Sequence, residues 1–436
     1  MTTILWVLTI YLFVLAIFQT SVVLRFCRWL LDDSQDASRS ALPAVTPDAA
    51  IVISLRGFDP SLDACLRGLC HQEYLGNYQI FAIVDHIDDP AWRALHKLEP
   101  ELLAKICIIQ ADSPTGQCSL KCDRLAQTLD QLPKDFELIC LIDADTIPDR
   151  RWLESLVEPF RDAEVGAASG HRWFYPGLSD RPQAARQRCS WGSWLRYLWN
   201  SAAVPQMHLY GIVWGGSMAL RRQAVVETRL HDVWRKALFD DVLIKHIFEA
   251  NEWRVVQVRE LLIPNFEQVS LRSAIEWITR QLLDTRLYHR CWPWIFSHAV
   301  GSTLLWMGIL GAAVYAAGNQ VWHNFIWGLA LLLGLALLNF GLLSILEHVA
   351  NLRINRRRTE LGAAPLRWLN FAQYLKILVG VGIVQCAFVY SAVRAACLRT
   401  VSWRGCEYRI RGPYQIEVNH YQVFRSNCEA ERESVD

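Results

Sequence analysis

Phe136–Pro148 decides the fold, and it reads Phe-Glu-Leu-Ile-Cys-Leu-Ile-Asp-Ala-Asp-Thr-Ile-Pro. Leu138–Ile142 is an unbroken apolar run of strand length, which is typical of a strand covered on both faces. Two carboxylates, Asp143 and Asp145, follow it one residue apart. At the carboxyl edge of an open α/β sheet, this is the position where ligands bind.

The two acids would repel each other unless a cation lay beside them. Hard ions such as Mg²⁺ or Mn²⁺ use a few carboxylates and take their remaining ligands from water and phosphate oxygens. The functional interpretation is therefore a divalent metal on Asp143 and Asp145 that bridges to a nucleotide diphosphate. The alternative is a pair of solvated loop acids, and this pattern alone does not separate the two.

Strands and helices alternate around this stretch. Three further strands are predicted, at Ala50–Leu55, Tyr78–Val84 and Lys105–Gln110. The alternation predicts an α/β fold with a mostly parallel sheet and right-handed crossovers. Arg56-Gly57 and Asp85 follow the first two of these strands. We therefore expect them to share one crevice with Asp143 and Asp145, although a lone acid such as Asp85 is also a common helix cap.

Composition excludes some classes of protein. The chain has 436 residues, with 44 Lys and Arg against 43 Asp and Glu, and this balance predicts no nucleic-acid partner. The 13 Cys are scattered without Cys-x-x-Cys pairs or Cys/His ligand spacing, which favours core positions over zinc ligands or disulfides. Hydrophobic residues make up 52%, which is high for a soluble enzyme, and they are concentrated in a few stretches.

Those stretches predict an integral membrane protein. Thr3–Leu24 is long, apolar and uncharged, and the basic residues after it favour a retained span whose C-terminal end is cytoplasmic. Trp292–Ala317 and Phe325–Leu346 are two further spans, and the second is followed by a basic, and therefore cytoplasmic, segment. The region between the first and second spans is then a cytoplasmic domain, on a bacterial inner membrane or its equivalent.

A fourth apolar stretch, Phe371–Leu398, is less simple. As a span it would put a basic tail outside the cell, against the charge rule, and it carries polar residues that include Gln373 and Lys376. We favour a re-entrant or interfacial helix with the tail cytoplasmic, and a third span of the C-terminal region is the alternative.

These patterns divide the chain into six parts. They are an N-terminal transmembrane helix (1–28), a linker (29–48), a cytoplasmic α/β domain (49–270), an amphipathic interface helix (271–291), a C-terminal membrane region (292–398) and a cytoplasmic tail (399–436).

Other candidate residues each have two interpretations. Trp194 lies in an aromatic helix that either contacts lipid or a lipid acceptor, or is ordinary core. Gly215-Gly216 forms a tight loop that lets the backbone approach a ligand. Asp240-Asp241 precedes a helix, where acids either complement the helix dipole or supply a general base at the acceptor.

With these motifs in order, the chain resembles membrane-bound family 2-type glycosyltransferases with a GT-A fold. It is most similar to the ceramide glucosyltransferase branch and its bacterial lipid-glycosylating relatives. The resemblance covers roughly residues 51–288 and the flanking spans. Five segments carry it, namely Arg56-Gly57-Phe58-Asp59-Pro60, Asp85-His86-Ile87-Asp88-Asp89-Pro90, Lys121, Asp143-Ala144-Asp145 and Phe239-Asp240-Asp241.

The resemblance implies roles for these residues. Asp143 and Asp145 match acids that bind Mg²⁺ or Mn²⁺, and Asp241 matches the catalytic base. Residues that match the nucleotide-sugar site are Arg56, Gly57, Asp85, Lys121, Asp143, Arg280 and Gln281. Trp194, Gly215, Gly216 and Asp240 are assigned to the acceptor side. The tail segment Val401-Ser402-Trp403-Arg404-Gly405, with Tyr408, resembles the tail of bacterial members.

One motif departs from the family. Its closing Gln/Arg-x-x-Arg-Trp is matched only by Trp277-Ile278-Thr279-Arg280-Gln281, which keeps the Arg and loses the Trp. The expected function is an inverting transfer of a hexose, with glucose the leading candidate, from a UDP-sugar to a membrane lipid. The alternatives are a processive polysaccharide synthase and a non-catalytic membrane scaffold with the same fold.

Overall fold

The structure, a computed structural model, describes residues 2–32, 46–176 and 189–424. Most of the linker predicted at 29–48, and residues 425–436 of the tail, lie outside the described residues. The strands of the central sheet are β1 Ala49–Leu55, β2 Tyr78–Val84, β3 Ile106–Gln110, β4 Leu138–Ile142, β5 Val165–Phe174, β6 Ser217–Arg221 and β7 Arg254–Asn265.

Helices of the catalytic domain connect these strands. They are α2 Leu62–Cys70, α3 Pro90–Leu95, α4 Pro100–Leu103, α5 Leu120–Gln131, α6 Trp152–Val157, α7 Trp191–Tyr210, α8 Arg222–Glu227, α9 Leu230–Trp234, α10 Leu243–Glu249 and α11 Leu271–Tyr288. The membrane helices are α1 Thr2–Leu31, α12 Trp292–Gly318, α13 Trp322–Glu360 and α14 Phe371–Cys397, and the tail forms β8 Thr400–Trp403, β9 Cys406–Gly412 and β10 Gln415–Tyr421.

The central sheet has the order β3-β2-β1-β4-β6-β5-β7. The first four strands of that order are parallel, and β6 is antiparallel to both of its neighbours. The mostly parallel α/β sheet predicted from the sequence is therefore confirmed. The register pairs Leu55 with Val84 and Ile53 with Ile142, so the carboxyl ends of β1, β2 and β4 lie side by side.

The apolar run of β4 is buried along its whole length. Successive side chains point to opposite faces of the sheet, as strand geometry requires. Cys140 lies in one hydrophobic layer with Leu66 of α2, and Leu141 lies in the other with Leu125 of α5. Because helices cover both faces, the strand has no polar face, and its acids appear only where it leaves the core.

In the described part of the chain, α1, α12, α13 and α14 are long and apolar enough to cross a membrane. The basic end of α13 is joined to the catalytic domain, where Nη2 of Arg357 donates to Oδ1 of Asp149 over 2.8 Å. This segment therefore lies on the side of the membrane that carries the domain. That this side is cytoplasmic stays a prediction from the distribution of basic residues.

Helix α14 touches the catalytic domain at both of its ends. Near its start, Nζ of Lys376 lies 5.4 Å from the ring centre of Trp194 in α7. At its end, Nη1 of Arg286 in α11 donates to the carbonyl of Ala395 over 2.6 Å. These contacts favour an interfacial or re-entrant placement of α14 over a helix that crosses the membrane. The placement of α14 stays a prediction. The tail that follows returns to the domain.

The tail is a three-stranded antiparallel sheet in the order β10-β9-β8. It packs at the carboxyl edge of the central sheet. The backbone N–H of Val418 donates to the carbonyl of Gly116 over 3.0 Å, and the N–H of Leu120 donates to Oη of Tyr408 over 3.2 Å. One wall of the crevice therefore comes from residues that follow the membrane helices in sequence.

Candidate active site

Asp143 and Asp145 share one cation. Arg172, at the end of β5, lies 3.0 Å from Oδ1 of Asp145 and 3.3 Å from Oδ2 of Asp143 through its Nη2 atom. Its Nη1 atom donates to Oδ2 of Asp145 over 3.1 Å. The repulsion expected between the two acids is thus offset by a guanidinium, whose planar fork suits carboxylate oxygens.

Lys121 links Asp143 to Asp240, the first residue of the Asp240-Asp241 pair. The residue lies in the first turn of α5, which is capped by Ser119 through an N–H bond from Cys122. Its Nζ atom is 2.8 Å from Oδ1 of Asp143 and 3.0 Å from Oδ2 of Asp240. The acids of two distant segments, which the resemblance had assigned to one site, are therefore in one cluster.

Burial and charge act in opposite directions on these groups. Burial raises the pKa of Asp145 above its ordinary value, and Arg172 only partly opposes this. Burial also raises the pKa of Asp240, to about 6, against the pull of Lys121. For Asp143, in contrast, Lys121 and Arg172 outweigh burial, and its pKa is lowered. Asp145 and Asp240 are thus the carboxylates that further positive charge would stabilise most.

Asp241 is held by backbone donors. The N–H of Gly215 donates to Oδ2 over 2.8 Å, and the N–H of Val242 donates to Oδ1 over 2.8 Å. The carboxyl of Asp284 in α11 is a further neighbour, and burial followed by the charge of Asp241 holds the pKa of Asp284 well above its usual range. A protonated Asp284 can donate to Asp241, so its acid proton would strengthen the fixed orientation of that carboxylate.

The glycine loop before β6 leaves no room for a larger residue. A Cβ atom on Gly215 would lie 2.6 Å from Oδ2 of Asp240 and 3.1 Å from Cβ of Asp241. The carbonyl of Gly216 accepts the N–H of Asp143 over 3.4 Å. The loop therefore links both ends of the acid cluster through its backbone. The close approach to a ligand that the two glycines predict stays a prediction.

Asp85 is buried among two arginines and a tyrosine. Its side chain is buried, and Oδ1 accepts Nη2 of Arg124 over 2.5 Å. Oδ2 accepts one hydrogen bond from the hydroxyl group of Tyr421 over 2.9 Å and another from a guanidinium N–H of Arg56. Gly57 follows with a φ of 72° and donates its N–H to Asp89. Asp85 thus holds Arg56 at the edge of the crevice. Through its bond with Tyr421 it also holds the C-terminal tail against the domain.

Arg280 and Gln281 also reach this crevice from α11. The guanidinium carbon of Arg280 lies 6.0 Å from the ring centre of Trp403, the last residue of β8. The family motif had predicted an aromatic residue beside this arginine in sequence. In the structure, an aromatic ring from the tail lies beside it instead.

Most of the predicted site residues line one cavity of about 800 Å³, whereas Gly57, Gly215 and Gly216 are not among its lining residues. Its polar end contains Asp143, Asp145, Lys121, Asp241 and Arg280. Its other walls come from the membrane helices and are mostly apolar, with Val22 of α1, Trp306 of α12, Leu343 and Leu346 of α13, and Val384 and Phe388 of α14, although Gln19, His298, Asn339 and Gln385 also line them. The cavity is therefore continuous from a charged cluster to the interior of the membrane bundle.

Trp194 is placed differently from the prediction. It is 1% exposed, forms an edge contact with Tyr197, and is not among the residues that line the cavity. The helix still contributes to the cavity through Leu198, Trp199 and Asn200. The alternative of a core aromatic thus describes Trp194, since the side of α7 that carries it is covered by α14.

Three polar residues of the site were not assigned from the sequence. Arg172 sits at the end of an ordinary buried strand, Asp284 lies in an amphipathic helix, and Arg404 belongs to the tail. The only sequence signal for Arg172 was its position at a strand end. Asp284 and Arg404 are brought to the cavity by packing between distant segments. No local pattern marks Asp284, and the tail segment that resembles bacterial members contains Arg404 without implying a role for it.

The fold and the site together define a membrane-associated enzyme with an α/β catalytic domain. A family model described as glycosyl transferase family 21 matches residues 5–416, so the chain belongs to this family and is a glycosyltransferase. It is the ceramide glucosyltransferase family of the predicted resemblance, and the family number is 21 rather than 2. No curated protein matches the sequence.

Solved structures with similar folds are distant. A mannosyltransferase from Pyrobaculum calidifontis, in complex with GDP-mannose and Mn²⁺, is 16% identical with a TM-score of 0.45, over 91% of this chain and 98% of that one. Glucosyl-3-phosphoglycerate synthase from Mycobacterium tuberculosis, with Mn²⁺, UDP-glucose and phosphoglyceric acid, is 12% identical with a TM-score of 0.33, over 56% and 80%. These likenesses carry no information on the substrate of this chain.

Proposed function

We propose that this chain transfers a hexose from a UDP-sugar to a hydroxyl group of a membrane lipid, with inversion at the anomeric carbon, on the cytoplasmic face. The observation that carries the proposal is the single cavity that joins the acid cluster to apolar walls of the membrane helices. A water-soluble acceptor would gain nothing from those walls. A lipid can place its chains between α1, α13 and α14 while its head group reaches the acids.

Asp241 is the proposed general base. The two backbone N–H groups that hold its carboxylate orient it towards the cavity without neutralising it by an ion pair. The acceptor hydroxyl gives its proton to Asp241 as its oxygen bonds to the anomeric carbon. The bond from that carbon to the diphosphate oxygen breaks in the same displacement, so the configuration inverts. A positioned base typically contributes about 10²–10⁴-fold to the rate.

The residues at the end of β4 fit a divalent metal. Asp143 and Asp145 both line the cavity, and the raised pKa of Asp145 shows that its carboxylate is not fully compensated by Arg172. No group of three or more metal ligands occurs among the described residues, which agrees with an ion that takes most of its ligands from the donor and water. When bound, Mg²⁺ or Mn²⁺ would act as a Lewis acid on the leaving diphosphate.

Arg280 supports the donor side of the proposal. It lines the cavity, and in the described residues it forms no ion pair with a carboxylate within 4 Å. Its guanidinium is thus available for phosphate oxygens rather than committed to an acid. The choice of UDP and of glucose comes from the family resemblance, and the acceptor is a lipid with a free hydroxyl.

Mass spectrometry of lipids from cells with and without the gene tests the proposal. We expect a lipid that is heavier by one hexose and is absent without the gene. A long water-soluble polymer would instead indicate a polysaccharide synthase, and an unchanged lipid profile would contradict the transfer.

A pair of variants in the same cells ties the product to the site. Asp241→Asn should remove the product while the purified protein still binds UDP. Asp232→Asn changes an exposed acid paired with Arg229 on the protein surface and should leave the product unchanged.

A further inference from the structure

The turn between β8 and β9 enters the cavity. Trp403 and Arg404 both line it, together with Asp143 and Arg280. Arg404 has a φ of 45° and Gly405 a φ of 76°, so both residues of this two-residue turn are left-handed. An arginine rarely adopts this conformation, which usually persists where the surroundings hold it and often marks a functional position.

The turn is fixed to the end of β1 by a reciprocal pair of bonds. Nε of Arg56 donates to the carbonyl of Arg404 over 2.9 Å, and Nη1 of Arg404 donates to the carbonyl of Arg56 over 2.7 Å. The side chain of Arg404 is thereby aimed at the strand ends, where the crevice opens. The conformation of the turn is therefore held by contacts within the fold.

Arg404 is less closely paired with acids than Lys121 and Arg172, two other cations of the cavity. Lys121 and Arg172 are engaged with acids at 2.8–3.3 Å. Besides its bond to the carbonyl of Arg56, Arg404 has a looser contact with an acid, with Nη2 at 3.5 Å from Oδ2 of Asp59, and 41% of its side chain is exposed. Arg404 nevertheless lines the same cavity as Asp143 and Asp145. Arg404 is therefore a cation beside the metal-binding acids with donors to spare.

We propose that Arg404 binds the diphosphate of the donor, so that the C-terminal sheet completes the nucleotide-sugar site. The inference rests on the proposed function, because it needs a donor with a diphosphate. Chemically, a leaving diphosphate carries more negative charge than one arginine offsets, and Arg280 and Arg404 both line the cavity together with Trp403. Charge-assisted bonds from guanidinium to phosphate oxygens are strong and directional.

Binding of UDP and of uridine to the full-length protein, measured with Mn²⁺ present, tests this role. Arg404→Ala should weaken UDP binding about ten- to a hundredfold, the usual effect of losing a hydrogen bond to a charged group. Uridine lacks the diphosphate, so its affinity should change less than twofold. Arg404→Lys should restore part of the UDP affinity, because it keeps the charge and loses the fork.

A matched control comes from the same sheet. Arg411 lies in β9 with Nη2 3.0 Å from Oε2 of Glu417, does not line the cavity, and has an exposed side chain. Arg411→Ala should bind both ligands as the unaltered protein does. The KM for the lipid acceptor should be unchanged in both alanine variants.

The outcomes separate this inference from the proposed function. If Arg404→Ala binds UDP normally, or loses UDP and uridine equally, Arg404 is not a diphosphate ligand, and the proposed function stands. If the unaltered protein itself binds no UDP, the proposed function fails and the inference fails with it.

Discussion

The backbone N–H of Gly215 donates to Oδ2 of Asp241 over 2.8 Å, and this bond connects the glycine loop before β6 to the proposed base. The two residues are 26 positions apart, on either side of a strand and two short helices. The orientation of Asp241 is thus set in part by the backbone of a residue that has no side chain.

Gly215→Ala should therefore impair catalysis more than folding. The added Cβ would lie 2.6 Å from Oδ2 of Asp240, so the acids must shift by several tenths of an ångström or more. Misplacement of this order at a reacting group costs about 10²-fold in rate. Steady-state kinetics measure the effect. Gly334→Ala is the control, since a Cβ at that helical position meets open space, and equal rates in the two variants would contradict the role of the loop.

Arg172→Ala should couple stability to divalent metal. The substitution leaves Asp143 and Asp145 facing each other without their shared cation, and breaking a buried pair costs about 3–5 kcal/mol. We expect a lower unfolding temperature that Mn²⁺ restores, with a larger Mn²⁺-induced rise than in the unaltered protein. Thermal unfolding with and without Mn²⁺ measures both.

Arg151→Ala is the control for this experiment, because Arg151 pairs with Glu154 on the surface. It should change neither the unfolding temperature nor the response to Mn²⁺. A Mn²⁺ effect in Arg172→Ala no larger than in this control would mean that the two acids do not hold the metal.

Val384→Trp should block the apolar part of the cavity. Val384 lines it from α14, and a bulky ring there would take space proposed for the lipid chain. The KM for the lipid acceptor should rise at least about tenfold, a loss of about 1.4 kcal/mol, while the affinity for UDP stays the same. Val379→Trp on the same helix is the control, because Val379 is 61% exposed on its outer side. If both variants behave alike, the acceptor does not use this part of the cavity.

Acid should destabilise the contact between α1 and the catalytic domain. Burial, with a smaller effect of His208, lowers the pKa of His171 to about 4, and its ring makes edge contacts with Phe26 and Trp29 of α1. In the unfolded chain the pKa is near 6.5, so the unfolded state binds more protons between these values. The contribution of neutral, buried His171 to the free energy of unfolding is fully present above pH 6.5. It is lost as the pH drops towards 4, by on the order of 3 kcal/mol.

Unfolding temperatures between pH 7 and pH 4 measure this dependence. His171→Leu should flatten the curve over that range, whereas His96→Leu, at an exposed histidine, should leave its slope unchanged. An equally steep curve in His171→Leu would assign the acid sensitivity to other groups.

The sequence predicted those parts of the fold that depend on local pattern. The buried run before Asp143 identified β4, and the polar residues after β1 and β2 identified the edge of the sheet where the site lies. The pattern could not reveal Arg172 as the shared cation, because that depends on β5 pairing with β7 and β6 at the far side of the sheet. It also placed Trp194 at the acceptor, since an aromatic stripe does not show which neighbour covers it.

The return of the tail to the crevice limits how the enzyme can be divided. A fragment that stops at Tyr288 would keep every strand of the central sheet, yet Asp85 would lose its bond from Tyr421 and Arg56 would lose its partner in the β8–β9 turn. Even if such a fragment dissolved without detergent, it would be an incomplete enzyme. In sequence, three helices long and apolar enough to cross a membrane separate the central sheet from the tail, so the crevice is complete only after the chain has returned from them to the domain.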